Sequence, residues 1–222
     1  MRLMKLTTVV FDMDGVIFDS ERTVMEEWFV IAKERGLEDM EKVYISVCGT
    51  TRPTTEAMMK QAYGRDFPFD ELDRRAYHMR DLKYEKGLPL KPGIRELLSF
   101  LKENGIHIAL ATSTNGERTR AELETVGLWQ YFDTVVTGEM VTHSKPDPEI
   151  FLKAIARSGA QPSQSIIIED SFNGVKAGRS SGALVIMVPD LRQPDEELEG
   201  MYDYVFPDLK AVKDFIQKTY AL

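Results

Sequence analysis

Leu6-Thr7-Thr8-Val9-Val10-Phe11-Asp12 is apolar or β-branched at nearly every position and shows no alternation with polar residues. A strand of that kind has two apolar faces and is stable only where other elements cover both of them. Four further runs resemble it, at 106–111, 134–137, 165–168 and 183–188. Helical patterns with readable ends lie between them. Ile94, Leu97, Leu98 and Leu101 make one apolar stripe, opened by Pro92-Gly93 and stopped by Gly105. Phe151, Leu152 and Ile155 make another, with Asp147 as cap, Pro148 at the first helical position and Gly159 as the stop. Leu123 and Val126 precede Gly127, and Val175 and Ala177 precede Gly182. Tyr204-Val205-Phe206 predicts a last short strand before a helix capped by Asp208. Such alternation predicts an α/β fold, a Rossmann-like parallel sheet with helices on both faces.

The stretch from 20 to 88 breaks the rhythm. Its helical patterns, at 21–35, 55–63 and 70–86, are joined by no strand. About seventy residues far exceed an ordinary βα connection of roughly 2–6. The expectation is an inserted all-helical cap domain at 20–88, on a core formed by 1–19 and 89–222.

Charge and composition narrow the functional classes. Twenty-eight Lys+Arg against thirty-six Asp+Glu give a net charge of −8, which argues against a nucleic-acid or anionic-membrane partner. No run reaches the ~18 consecutive apolar residues that a membrane span needs. The opening residues 1–6 lack the apolar core and cleavage site of a signal peptide, so a cytoplasmic setting is expected. One cysteine, Cys48, excludes an intramolecular disulfide and disfavours a thiolate zinc site. A monomer is the default expectation.

Open α/β sheets bind ligands beyond the carboxyl ends of their strands. Those ends carry Asp12-Met13-Asp14-Gly15, Thr112-Ser113-Thr114, Ser144-Lys145-Pro146-Asp147-Pro148 and Glu169-Asp170-Ser171. Asp12, Asp14, Glu169 and Asp170, with several hydroxyls and one lysine, should therefore meet at one sheet edge. Charge at the end of an apolar strand is costly unless neutralised, and a divalent cation together with Lys145 is the simplest neutraliser. Oxygen ligands without histidine or thiolate favour Mg2+ over zinc. Taken alone, Asp12-Met13-Asp14-Gly15 reads equally as a turn, and Glu169-Asp170 as an acidic pair at a helix N-terminus. A calcium loop is excluded, because its third ligand before the glycine and its twelfth-position glutamate are missing.

In that order along the chain, Phe11-Asp12-Met13-Asp14-Gly15-Val16, Ala109-Leu110-Ala111-Thr112, Ser144-Lys145-Pro146 and Ile168-Glu169-Asp170-Ser171 resemble the four motifs of the haloacid dehalogenase superfamily. The likeness is to the branch holding β-phosphoglucomutase-like and sugar-phosphate phosphatase-like members. It implies that Asp12 is a nucleophile forming an aspartyl-phosphate and that Asp14 is the general acid and base. It further implies that Mg2+ is held by Asp12, the Asp14 carbonyl, Asp170 and Glu169, the last directly or through water. Thr112 and the Ser113 amide would bind phosphoryl oxygens, while Lys145 offsets their charge. Asn173 and Gly174 would help orient Asp170.

An aspartate at position 14 favours phosphoryl transfer, since the superfamily's dehalogenases lack one there. The β-phosphoglucomutase pattern has a lysine where this chain has Cys48 and a histidine where it has Val24, though Gly49 and Arg52 are retained. The thinned cationic set favours a phosphatase acting on a small phosphorylated metabolite over a phosphosugar mutase. Arg52 is the candidate substrate contact from the cap. A phosphoryl-binding regulatory protein with little turnover is the reading from another class, and the intact motifs give no reason to prefer it. His78, His107 and His143 have no expected catalytic part, although His143 lies near Lys145 in the chain.

Overall fold

The computed structural model describes residues 5–221. The leader reading above falls partly on residues 1–4, outside that range. Six strands, β1 (Thr8–Phe11), β2 (His107–Ala111), β3 (Thr134–Val136), β4 (Ser165–Glu169), β5 (Leu184–Met187) and β6 (Tyr204–Val205), form one sheet among the described residues. Every pairing is parallel, in the order β3-β2-β1-β4-β5-β6.

The unbroken apolar runs follow from two-sided burial. Val9 and Phe11 face a core shared with α5 (Ile94–Glu103) and α9 (Leu209–Tyr220). Val10, between them, faces a second core shared with α7 (Glu149–Arg157) and α8 (Phe172–Ser181). A further helix, α6 (Gly116–Thr125), follows β2. The α9 cap is as expected, Asp208 Oδ1 accepting from the Ala211 amide at 2.9 Å. In α7 the start shifts by one: Pro148 is the cap, and Asp147 Oδ1 accepts from the Glu149 amide at 2.9 Å.

β1 lies between β2 and β4, with Phe11 in register beside Leu110 and Ile168. That placement aligns the ends of three strands distant in sequence. The sheet order changes direction here, with β2 and β4 on opposite sides of β1, which is where such folds open a crevice.

The inserted segment holds four helices rather than the three expected: α1 (Ser20–Arg35), α2 (Met40–Val47), α3 (Arg52–Tyr63) and α4 (Phe69–Lys83). The additional one, α2, has only eight residues and buries Met40, Tyr44 and Val47. Two turns are too few for periodicity to stand out. α3 begins at Arg52, ahead of the expected start, because Pro53 fits the first helical turn where its missing N–H is not needed. α4 ends at Lys83, short of the expected 86.

These helices enclose a core of their own, in which Trp28 is 1% exposed and stacks on Phe67 and Phe69. Two antiparallel segments connect cap and core. The Asp19 amide donates to the Pro89 carbonyl and the Lys91 amide to the Ile17 carbonyl, each at 2.9 Å.

Trp28→Ala removes the central ring of the cap core. It is expected to cost about 3–5 kcal/mol in urea unfolding monitored by circular dichroism.

Candidate functional site

Beyond the end of β1 the chain turns sharply. Gly15 has φ +77° and its amide donates to the Phe18 carbonyl at 2.9 Å. The turn leaves Asp12 7% exposed at the strand end, with Asp14 beside it at the cavity wall. Asp12, Asp14, Arg52, Thr112, Ser113, Lys145, Glu169 and Asp170 all line one cavity of about 960 Å³ between the sheet edge and the cap.

Lys145 organises the floor. Its Nζ donates to Asp12 Oδ1 at 2.5 Å, to Glu169 Oε1 at 2.8 Å and to the Ala111 carbonyl at 3.3 Å. It also lies 4.7 Å from the centre of the Phe151 ring. Burial works against the ammonium charge, but Asp12 and Glu169 outweigh it and hold Lys145 above its ordinary pKa. Burial is also the main influence on Asp12, raising its carboxyl above the usual range against the pull of Lys145.

Glu169 is fully buried, and its second oxygen accepts from the Asp170 and Ser171 amides at 2.8 and 2.7 Å and from Ser171 Oγ at 3.0 Å. Its hydrogen-bonding capacity is thus largely committed. Asp170 differs: its Oδ1 is buried with no hydrogen-bond partner among the described residues. Burial first, then Glu169 and Asp12, push the Asp170 carboxyl well above the usual range.

Two glycines make room for these acids. A Cβ at Gly15 would collide with the Asp170 carboxylate, and one at Gly174 with the Glu169 carboxylate. Carboxylate oxygens of Asp12, Glu169 and Asp170 come within 4.8 Å of one another. An orphaned buried oxygen in a cluster of hard donors, with one ammonium as counterion, has the chemistry of a divalent-cation site.

Thr112 is 1% exposed, and its Oγ1 accepts from the Thr114 amide at 3.0 Å. Thr114 Oγ1 donates to Asp14 Oδ2 at 2.9 Å, orienting it toward β2. That role for Thr114 was not read from the sequence; the signal was a second hydroxyl two residues after Thr112. Ser113 is exposed at the cavity.

Arg52 also lines the cavity, but its guanidinium is held by Asp73 at 2.6 Å and Asp70 at 2.7 Å, and it lies over the Phe69 ring. Its expected contact to substrate therefore competes with two ion pairs. Asn173 and Gly174 act elsewhere than on Asp170. Asn173 Nδ2 donates to the Gly49 carbonyl of the cap at 2.9 Å, and Gly174 clears space for Glu169. His143 is exposed and meets Glu149 at 3.2 Å. Cys48 is free, and burial raises its thiol pKa, so it is no reactive thiolate.

The sequence pattern of the haloacid dehalogenase-like hydrolases matches residues 9–188, and the chain belongs to that family. A phosphorylated carbohydrates phosphatase from Thermotoga maritima is 32% identical over 177 residues, spanning 80% of this chain and 82% of the relative. A phosphoglycolate phosphatase from Nitrosospira multiformis is 30% identical over 223 residues, spanning 96% and 97%. The crystal structure of β-phosphoglucomutase from Clostridium difficile has the same fold, with a TM-score of 0.74, 23% identity and 97% of both chains covered. The protein is thus an enzyme of the hydrolase class, built on a Rossmann-like core with a helical cap. No helix among the described residues is long and apolar enough to cross a membrane.

Gly174→Ala drives a methyl group into a carboxylate that cannot retreat. A loss of roughly 1–3 kcal/mol is expected in urea unfolding, and an unchanged midpoint would contradict the close approach.

Proposed function

We propose that the protein is a Mg2+-dependent phosphatase that hydrolyses a small phosphomonoester through an aspartyl-phosphate on Asp12. The observation that carries the reading is the Lys145 bridge. The ammonium fixes Asp12 Oδ1, while Oδ2 accepts no hydrogen bond among the described residues and is available for attack. In this reading 20–88 is the cap and 1–19 with 89–222 the core, and the enzyme works as a cytoplasmic monomer.

Asp12 Oδ2 attacks phosphorus and the bond from phosphorus to the leaving oxygen breaks. Asp14 gives its proton to that oxygen, held in line by Thr114 Oγ1. In the second half, Asp14 takes a proton from water, water oxygen bonds to phosphorus, and the acyl-phosphate bond to Asp12 breaks. Thr112 and the Ser113 amide steady the phosphoryl oxygens, and Lys145 balances their charge as the bond order changes.

Asp12, the Asp14 carbonyl and Asp170 Oδ1 would hold Mg2+, with Glu169 engaged through the groups it already binds. When bound, the ion neutralises the acids and lowers the repulsion between nucleophile and phosphoryl group.

The metal reading has a pH signature. Asp12 and Asp170 carry raised folded-state pKa values. At these two groups the folded state holds more protons than the unfolded one once pH exceeds about 4, and their contribution to stability falls as pH rises from there. Melting of the chelator-treated protein should show that fall. Added Mg2+ should raise the melting temperature by an amount that grows from about pH 5 to about pH 8, because binding needs the carboxylates deprotonated. A melting curve indifferent to Mg2+ would remove the ion from the proposal.

Phosphate release from 4-nitrophenyl phosphate tests the chemistry. Asp12→Asn is expected to lower it roughly a thousandfold or more. Asp14→Asn should instead accumulate a covalent phosphoryl adduct visible by mass spectrometry, since an aryl leaving group departs unaided while hydrolysis of the acyl phosphate still needs the base. Interconversion of sugar phosphates faster than phosphate release would favour a mutase.

A further inference from the structure

The arginines around the cavity are already paired, and Glu21, a cavity carboxylate outside the reaction centre, is not. Arg52 is held by Asp70 and Asp73. Arg80 meets Asp81 at 2.6 Å and Glu122 at 3.5 Å, and Arg118 meets the same two at 3.1 and 2.8 Å. Arg192 is held by Asp195 and Glu197. Lys145 belongs to the reaction centre.

Glu21, at the start of α1, has no cationic partner among the described residues. Its Oε2 accepts from Tyr44 Oη at 3.2 Å and from Cys48 Sγ at 3.8 Å, both uncharged. Burial, and after it the charge of Asp14, push its carboxyl up to about 7. In either protonation state its free oxygen accepts a hydrogen bond.

Glu21 stands where the main cavity meets a recess of about 180 Å³ made wholly of cap residues. Trp28, Tyr44, Phe69 and Tyr77 are among its walls, and Asp73 is the other acid. The volume corresponds to roughly six waters at ~30 Å³ each, which suits a polyol-sized group with an apolar face and hydroxyl edges.

We propose that this recess, with Glu21 as acceptor, reads the leaving group of the substrate as a neutral hydroxylated sugar or polyol carrying a single phosphate, and turns away substrates with a second phosphate or a carboxylate. The proposal rests on the phosphatase reading of the same cavity. A hydroxyl donates to Glu21 while its carbon face lies on the aromatic walls. The cation of the recess, Arg52, is already held by Asp70 and Asp73, so a second anion would have to break those ion pairs and would lie beside Glu21 and Asp73.

The test measures kcat/KM of the full chain with Mg2+ for glucose 6-phosphate, phosphoglycolate, fructose 1,6-bisphosphate and 4-nitrophenyl phosphate. The wild type is expected to prefer glucose 6-phosphate over the two esters that carry a second anionic group by about tenfold or more. Glu21→Ala should cut the ratio of glucose 6-phosphate to 4-nitrophenyl phosphate about tenfold to a hundredfold, with Glu21→Gln, which keeps an acceptor oxygen, recovering part of it. Equal losses on both substrates, or a wild type that prefers either ester with a second anionic group, overturn the inference.

If no ester releases phosphate, it is the phosphatase reading that falls. The recess is then judged by calorimetric binding of glucose 6-phosphate and fructose 1,6-bisphosphate to Asp12→Asn. Tighter binding of the monophosphate that Glu21→Ala weakens sustains the inference, and any other order refutes it. Glu21→Gln preserves side-chain volume, so a folding defect in the alanine variant leaves the comparison intact.

Discussion

Acids ending neighbouring strands of one parallel sheet repel each other, and the site is organised around the cancellation of that repulsion. Parallel pairing puts the end of β1 beside the end of β4, so Asp12 and Glu169 approach whether or not chemistry needs them. Both are buried, where unpaired charge costs far more than at a surface. The Lys145 ammonium between them makes the arrangement stable and leaves one Asp12 oxygen unengaged. One positive charge offsets two negative ones, and Asp14 and Asp170 add more. In the proposed reading, the remaining deficit is what would bind a dication and, with it, a phosphoryl group.

Backbone geometry sets how closely the acids gather. Gly15 lies in the turn after β1 and Gly174 in α8, yet each leaves room for a carboxylate of the fourth motif. The carboxylate of Glu169 ties up the amides that open α8, which fixes its own position and leaves Asp170 as the acid with a free oxygen. Two adjacent acids thus acquire different tasks, one positioning lysine and loop, the other free to ligate.

The sheet was legible because two-faced burial writes itself into unbroken runs such as 6–12 and 165–168, and because Gly105 and Gly159 end helices by a local rule. The motif residues were legible for a related reason, as polar side chains stand out at the end of an apolar strand. What could not be read depended on partners distant in the chain. Nothing near Thr114 says that its hydroxyl meets Asp14, a hundred residues away. Arg52 looked like a free cation because Asp70 and Asp73, its partners, sit on another helix. Short α2 was hidden by its length, and Glu21 by the absence of any motif at a position whose meaning comes from the cavity around it.

The division between core and cap has an electrostatic side. Core residues gather negative charge around Lys145, which in the proposed reading serves a phosphoryl group that every substrate would share. The cap arginines that line the cavity, Arg52 and Arg80, are paired with cap or neighbouring acids, and the cap then adds Glu21, a carboxylate without a counterion among the described residues. A cap built to hold a second phosphate would leave arginines unpaired and keep acids away, because each paired arginine must be freed before it can bind an anion. Glu21 beside an aromatic recess does the reverse: it offers acceptors to hydroxyls at the far end of the substrate while the sheet edge keeps the phosphoryl end.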